Sequence, residues 1–83
     1  MADTSLTRLS ACAVVDLLRA GDITPLDCLD ALEARIAETE PHVNALPTLC
    51  LDRARDHARA LADRPASERG VLQGLPVPIK DLT

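Results

Sequence analysis

A single lysine, Lys80, lies near the end of the 83-residue sequence, between the apolar run Leu75–Ile79 and the acid Asp81. A lysine acts as a general base only when its amine is uncharged. Burial among apolar groups favours that state by lowering the pKa from its ordinary value of about 10.4. A base also needs a nucleophile to activate, and the sequence stops three residues later. We therefore expect Lys80 to be one catalytic group of a longer enzyme; the alternative is a surface lysine near a chain end.

The cysteines and histidines offer a second, weaker candidate site. Cys12, Cys28 and Cys50 are odd in number and form no C-x-x-C pair, which predicts buried free thiols in a reducing cytoplasm. A cysteine nucleophile paired with His42 or His57 is the alternative, although no third orienting group accompanies such a pair. The histidines and acids show no metal-ligand spacing, so we expect neither a metal nor a cofactor.

Charge and composition argue against two classes of partner. The net charge is −4, no dense block of Lys and Arg occurs, and Phe, Tyr and Trp are absent. Nucleic-acid binding needs phosphate-neutralising clusters and stacking aromatics, so we expect no nucleic-acid partner. The N-terminus has no signal-peptide pattern, and no apolar run approaches the roughly 20 residues of a membrane span. We expect a cytoplasmic protein with no membrane contact.

The length limits how much of a fold the chain can form. A chain of 83 residues makes at most one small domain and buries only roughly 60–65% of its unfolded surface. Without aromatic side chains in the core and without a recognisable cross-link such as a disulfide or a metal site, such a domain has a net folding stability near zero. We predict that residues 1–83 are an incomplete part of one domain, with no second domain.

The first predicted helix lies near residues 10–20. Ser10 is a favourable N-cap, and Gly21 is a favourable residue to end the helix. The apolar stripe of this helix consists of Val14, Leu17 and Leu18.

The second predicted helix lies near residues 24–40. Thr24 is the expected N-cap, Pro25 fits the first helical position, and Asp27 can complete a capping box. Pro41 is expected to end the helix near Glu40. The apolar stripe, which can serve a core or dock onto a partner helix, consists of Leu26, Leu29, Leu32 and Ile36.

A third helix is predicted near residues 52–63, preceded by a short strand near 45–50 and followed by a surface loop over 64–70. Acids and arginines alternate along this helix and predict a solvated face held by i,i+3 and i,i+4 pairs. Those pairs are Asp52–Arg55, Asp56–Arg59 and Arg59–Asp63.

The last predicted element is a short strand near residues 75–81, entered through Gly74. Alternation places Pro76, Pro78 and Lys80 on one face of this strand and Val77, Ile79 and Asp81 on the other. The two prolines remove backbone donors from the same edge, so the strand can pair fully on one side and only partly on the other.

In this order the elements resemble the amidase signature family, serine hydrolases that cleave carbon–nitrogen bonds. The resemblance is carried by the two capped helices, by a Pro-x-x-Asn-Ala segment at residues 41–45, and by a Gly-[Ile/Leu]-Pro-Val-x-[Ile/Val]-Lys-Asp strand at Gly74–Asp81. Pro78 departs from the pattern, because the family more often has a non-proline residue there.

The resemblance implies an α/β parent enzyme with a mixed sheet covered by helices, of which this chain is the mostly α-helical N-terminal part. It implies a Ser–cis-Ser–Lys mechanism with Lys80 as general base, acting on a small-molecule amide. Both serines belong to a downstream Gly/Ser-rich region, which Ser5, Ser10 and Ser67 do not match. We also expect a homodimer through the N-terminal helices.

Two alternatives to an amidase stay open at this stage. One is the glutaminase-type A subunit of a tRNA-dependent amidotransferase, which shares the same core and cannot be distinguished by these residues. The other is a small non-catalytic helical interaction module that docks through the stripe of the second helix. A Pro-rich strand ending in Lys-Asp has no role in such a module.

Overall fold

The computed structural model describes residues 4–79, and helices are its regular elements. No strand is present among these residues, and none of their helices is long and apolar enough to cross a membrane. The chain is mostly α-helical, as the sequence predicts. The elements are a 3₁₀ helix at Thr4–Arg8, α1 at Ala11–Ala20, α2 at Pro25–Val43, α3 at Leu51–Ala62 and a second 3₁₀ helix at Ala66–Glu68.

Capping residues fix both ends of α1. The Ser10 hydroxyl accepts a hydrogen bond from the Ala13 N–H at 3.1 Å, satisfying a donor that the first helical turn leaves free. At the other end Gly21 adopts a left-handed conformation with φ +82°, and its N–H donates to the carbonyl of Leu18. The Asp22 N–H donates to the Leu17 carbonyl at 3.0 Å. Both predicted boundary residues are confirmed.

The start of α2 is a complete capping box. The Asp27 N–H donates to the Thr24 hydroxyl at 3.1 Å, and the Thr24 N–H donates to the Asp27 carboxylate at 2.8 Å. Pro25 occupies the first turn, where its missing N–H removes no helical bond. The sequence prediction for this end of the helix is confirmed.

The predicted end of α2 at Pro41 is wrong, because the helix continues to Val43. Proline in the last turn removes a single i→i−4 bond. Asn44 then closes the helix in a left-handed conformation, with its N–H donating to the Glu40 carbonyl at 2.8 Å. The Glu40 carboxylate accepts the next two N–H groups, from Ala45 at 2.8 Å and Leu46 at 3.0 Å. These bonds offset the one that proline removes.

The predicted strand near 45–50 is absent, and residues 44–50 form an irregular connection between α2 and α3. The predicted strand near 75–81 is also absent over residues 75–79, while residues 80 and 81 lie outside the described part. A strand requires a partner ladder for its backbone groups, and the described residues provide no partner segment. The loop predicted over 64–70 contains the short 3₁₀ helix Ala66–Glu68.

The core lies where α1 and α2 meet. Leu18 is completely buried, and Val14 and Cys28 pack with it, while Ile23 and Leu75 cover the cluster. α2 contacts α3 and the first 3₁₀ helix, and α1 contacts the second 3₁₀ helix. Because Leu75 belongs to this core, the segment that leads toward Lys80 begins inside the packed helices.

The three cysteines differ in exposure, which corrects the expectation that all are buried. Cys28 is buried, whereas Cys12 and Cys50 are exposed. Burial raises the pKa of the Cys28 thiol above its ordinary value, and the nearby Asp27 carboxylate raises it further. Cys28 is therefore a core residue whose thiol is shielded and less readily ionised.

This difference predicts unequal thiol reactivity. At about pH 8, close to the ordinary thiol pKa of about 8.5, the raised pKa of Cys28 lowers its thiolate fraction and burial blocks access. We expect Cys28 in the full-length folded protein to react with iodoacetamide on the order of tenfold more slowly than Cys12 and Cys50. Mass spectrometry of the individual peptides measures the three rates, and the same reaction in urea is the control. Equal rates in the folded protein would contradict this packing.

Candidate functional site

Lys80, the predicted catalytic residue, lies outside the described residues. The structure describes the segment that precedes it, Gly74–Ile79, together with the surfaces that this segment contacts. The candidate site is therefore built from the residues that hold this segment in place.

Gly74 is wedged between α2 and α3. Its φ is +96°, and a Cβ atom built on it would lie 2.7 Å from Pro25 Cγ and 2.9 Å from Leu61 Cδ2. Separations below 3.0 Å are closer than carbon atoms normally approach. Glycine is thus required twice at this position, for the backbone conformation and for the close approach. Pro25, which opens α2, and Leu61, near the end of α3, together fix where the segment starts.

Beyond Gly74 the segment forms one wall of an apolar groove of about 510 Å³. α2 contributes Leu29, Leu32 and Ile36 to the groove, so most of the predicted α2 stripe faces another part of this chain. Other lining residues come from the 44–50 connection, from α3 and from the segment itself, and include Leu46, Leu49, Ala54, Leu61, Val77 and Ile79.

Exposure increases along the segment toward Lys80. Leu75 and Pro76 are half-buried, Val77 is 54% exposed and Ile79 is 79% exposed. Val77 and Ile79 belong to the apolar run that precedes Lys80 in the sequence. Within residues 4–79 nothing covers these two side chains fully, so this part of the chain does not by itself form a buried apolar environment at the end of the segment.

Arg55 holds together the two helices that form the groove. Its guanidinium donates one hydrogen bond of 2.8 Å to the Asp30 carboxylate and another to the Glu33 carboxylate. Both acids lie on α2. Hydrogen bonds to Asp30 and to Glu33 raise the pKa of Arg55 above its ordinary value. The sequence placed Arg55 on a solvated face paired with Asp52, whereas the structure uses it between helices. The predicted Asp56–Arg59 pair is present, at 3.1 Å.

We expect Arg55→Ala to lower the thermal unfolding midpoint more than Arg59→Ala. Arg55 is 22% exposed and bonds two carboxylates of another helix, whereas Arg59 is 60% exposed and bonds Asp56 within its own helix. Exposed ion pairs within one helix contribute little to the free energy of unfolding. Arg55→Lys should fall between wild type and Arg55→Ala, because an ammonium lacks the planar fork that reaches both carboxylates. Differential scanning calorimetry of the three variants checks this, and equal midpoints for the two alanine variants would contradict it.

Among residues 4–79 the remaining cysteines and histidines are divided between the groove, the core and the surface. Cys50 and His57 both line the groove, but His42 is exposed at the end of α2 and does not line it. Among residues 4–79 no group of three or more His, Cys, Asp or Glu side chains could hold a metal ion. Glu40 accepts hydrogen bonds from two N–H groups of the connection after α2. This role was not predicted, because no local sequence pattern marks a carboxylate that bonds N–H groups beyond the next proline.

The chain is similar along nearly its whole length to two kinds of protein, amidases and the A subunits of amidotransferases. It is 44% identical over 79 residues to a glutamyl-tRNA(Gln) amidotransferase A subunit of Shouchella clausii. It is 36% identical over 80 residues to an amidase of Pseudomonas putida, and 40% identical over 80 residues to an amidotransferase A subunit of Roseiflexus. Each of these matches covers 95% of the chain. The resemblance to the amidase signature family is confirmed.

The chain spans about a sixth of the length of these relatives, since the matches cover 15–17% of them. No family model matches the chain. No solved structure matches it either.

Proposed function

We propose that residues 1–83 are the N-terminal part of the single catalytic domain of an amidase that hydrolyses carbon–nitrogen bonds of small amides. The observation that carries this proposal is 36–44% identity over 95% of the chain to proteins named as amidases and amidotransferase A subunits. The parent fold in this proposal is α/β, with a mixed sheet that these helices help to cover.

Lys80 is the general base in this proposal, acting with two serines of a later region in a Ser–cis-Ser–Lys arrangement. The neutral amine of Lys80 accepts a proton from one serine, that serine takes the proton of the nucleophilic serine, and the nucleophilic oxygen attacks the amide carbon. The C–N bond breaks as the proton held by Lys80 returns through the first serine to the leaving amine, which gives an acyl-enzyme and a free amine; water then cleaves the acyl ester, which releases the acid and restores the serine. The wedged Gly74 supports this role, because it fixes the start of the segment that carries the lysine.

A second candidate is the glutaminase-type A subunit of a tRNA-dependent amidotransferase. Relatives with that name reach 44%, 41% and 40% identity, which favours it as strongly as the amidase. Its substrate would be the side-chain amide of glutamine, and the ammonia released would pass to a partner protein. The same lysine would serve both reactions.

One assay separates the candidates. We expect the full-length product of the gene to release ammonia from an amide, and we expect residues 1–83 alone to release none. Hydrolysis of simple linear amides without partner proteins identifies an amidase, whereas glutamine hydrolysis that requires them identifies the amidotransferase component. Absence of both activities in a folded full-length protein would overturn the proposal, as would turnover by the 83-residue chain.

A further inference from the structure

Gln73, the residue before Gly74, combines three unfavourable features. It is 5% exposed, its φ is +55°, and its side-chain Oε1 has no hydrogen-bond partner within the described residues. A non-glycine residue at positive φ is strained, and a buried acceptor without a donor loses its hydration. Such features persist only where surrounding contacts enforce them, and they concentrate where a protein must hold one particular geometry.

The bonds of Gln73 close the loop that precedes the segment. Its side-chain Nε2 donates to the Ala66 carbonyl at 3.1 Å, and its backbone N–H donates to the Gly70 carbonyl at 3.1 Å. Ala66 begins the second 3₁₀ helix, which contacts α1. The amide of Gln73 therefore ties the start of the segment to α1.

Gly74 ties the same point to the other two helices through Pro25 of α2 and Leu61 of α3. Consecutive positive φ values, +55° at Gln73 and +96° at Gly74, turn the chain between these anchors. The direction in which residues 75–79 leave is thus set by two neighbouring residues: Gly74 contacts α2 and α3, and Gln73 bonds the second 3₁₀ helix, which contacts α1.

We propose that Gln73 is a positioning residue for Lys80: its amide holds the left-handed turn that sets the direction of residues 75–79, the segment that leads to the lysine. This inference rests on the proposed function of Lys80. It assigns no direct contact to Gln73, which acts through the six intervening residues, 74–79.

The Gln73→Met variant distinguishes a role in positioning Lys80 from a role in the folding stability of the protein. Methionine keeps the length of the side chain but removes the bond to Ala66 and also the unpaired Oε1. The Ala66 carbonyl keeps a second donor, the Arg69 N–H at 3.2 Å, so losing the Gln73 bond does not leave it unpaired, and the variant also removes the unpaired Oε1. The matched control is Arg69→Met, because the Arg69 side-chain Nε donates to the Arg64 carbonyl at the same 3.1 Å in the same loop.

The readout is the pH dependence of acetylation of Lys80 by acetic anhydride in the full-length protein, followed on the peptide by mass spectrometry. In wild type we expect the midpoint of this pH dependence to lie well below the ordinary lysine pKa of about 10.4. In Gln73→Met we expect it to rise by about one pH unit or more, because a displaced amine regains water. Arg69→Met should titrate like wild type, and all three proteins should unfold at similar temperatures.

A lowered midpoint in wild type that stays unchanged in Gln73→Met would overturn the inference and leave the proposed function standing. An ordinary midpoint in wild type would overturn the proposed role of Lys80 and the inference with it. Gln73→Gly relieves the positive φ as well as removing the amide, and it should show the same rise. If both variants fail to fold, Gln73 is a stability residue and the inference is wrong.

Discussion

Gly74→Ala is expected to be among the most damaging single substitutions in this part of the protein. The new methyl group would lie 2.7 Å from Pro25 Cγ and 2.9 Å from Leu61 Cδ2, and the residue would have to keep a φ of +96°. Overpacking costs about 1–3 kcal/mol, and an unfavourable left-handed backbone adds about 1–2 kcal/mol. We expect a loss of about 2–5 kcal/mol in the local stability of α2 and α3. Amide exchange in the full-length protein measures it.

The other two glycines provide matched controls that divide this effect into its parts. Gly21 has a φ of +82° with nothing within 4 Å of where a Cβ atom would lie, so Gly21→Ala reports the backbone cost alone. Gly70 has neither a positive φ nor a neighbour within 4 Å, so Gly70→Ala should change little. The expected order of destabilisation is Gly74, then Gly21, then Gly70. A Gly74→Ala variant no worse than Gly21→Ala would show that the close approach to Pro25 and Leu61 does not exist.

Lys80→Ala and Lys80→Arg are both expected to abolish amide hydrolysis by the full-length protein. Removing a general base typically lowers the rate on the order of 10²–10⁴-fold. Arginine carries a positive charge and cannot lose its proton at physiological pH, so it supplies no base. The two variants should therefore be equally impaired in kcat, while Arg53→Ala, which changes an exposed cation of α3, should match wild type.

The arginine variant decides which role the lysine has. Activity retained in Lys80→Arg but lost in Lys80→Ala would mean that a fixed positive charge, and not a proton acceptor, is needed. That result would contradict the general-base role. Activity retained in both variants would remove Lys80 from the mechanism.

The helices could be predicted from the sequence because their signals are local. Ser10, Gly21 and the Thr24–Asp27 box determine boundaries through bonds spanning three or four residues. Pro41 misled the prediction, because the compensating acceptor, Glu40, acts on Ala45 and Leu46 beyond the helix. The predicted strands near 45–50 and 75–81 could not be decided from alternation, since a strand depends on a partner that lies elsewhere in the chain.

The contacts that hold the candidate site could not be predicted, because they join residues far apart in sequence. From the local sequence, Arg55 is expected to pair with a carboxylate of its own helix. Asp30 and Glu33 come within reach of Arg55 only because α2 packs against α3. The wedge of Gly74 between Pro25 and Leu61 likewise follows from packing. Gln73 has no sequence signal at all, since a glutamine before glycine does not indicate burial or a left-handed turn.

The most direct test is an NMR titration of the full-length protein with ¹³Cε-labelled lysine, in which Lys80→Arg identifies the resonance. We expect the pKa of Lys80 to lie several units below the free value of about 10.4, because the folded enzyme removes water from the amine. A resonance that titrates at the free value would show a solvated ammonium. Such an amine could not activate a serine at neutral pH, and the account of this chain as part of a lysine-dependent amidase would be wrong.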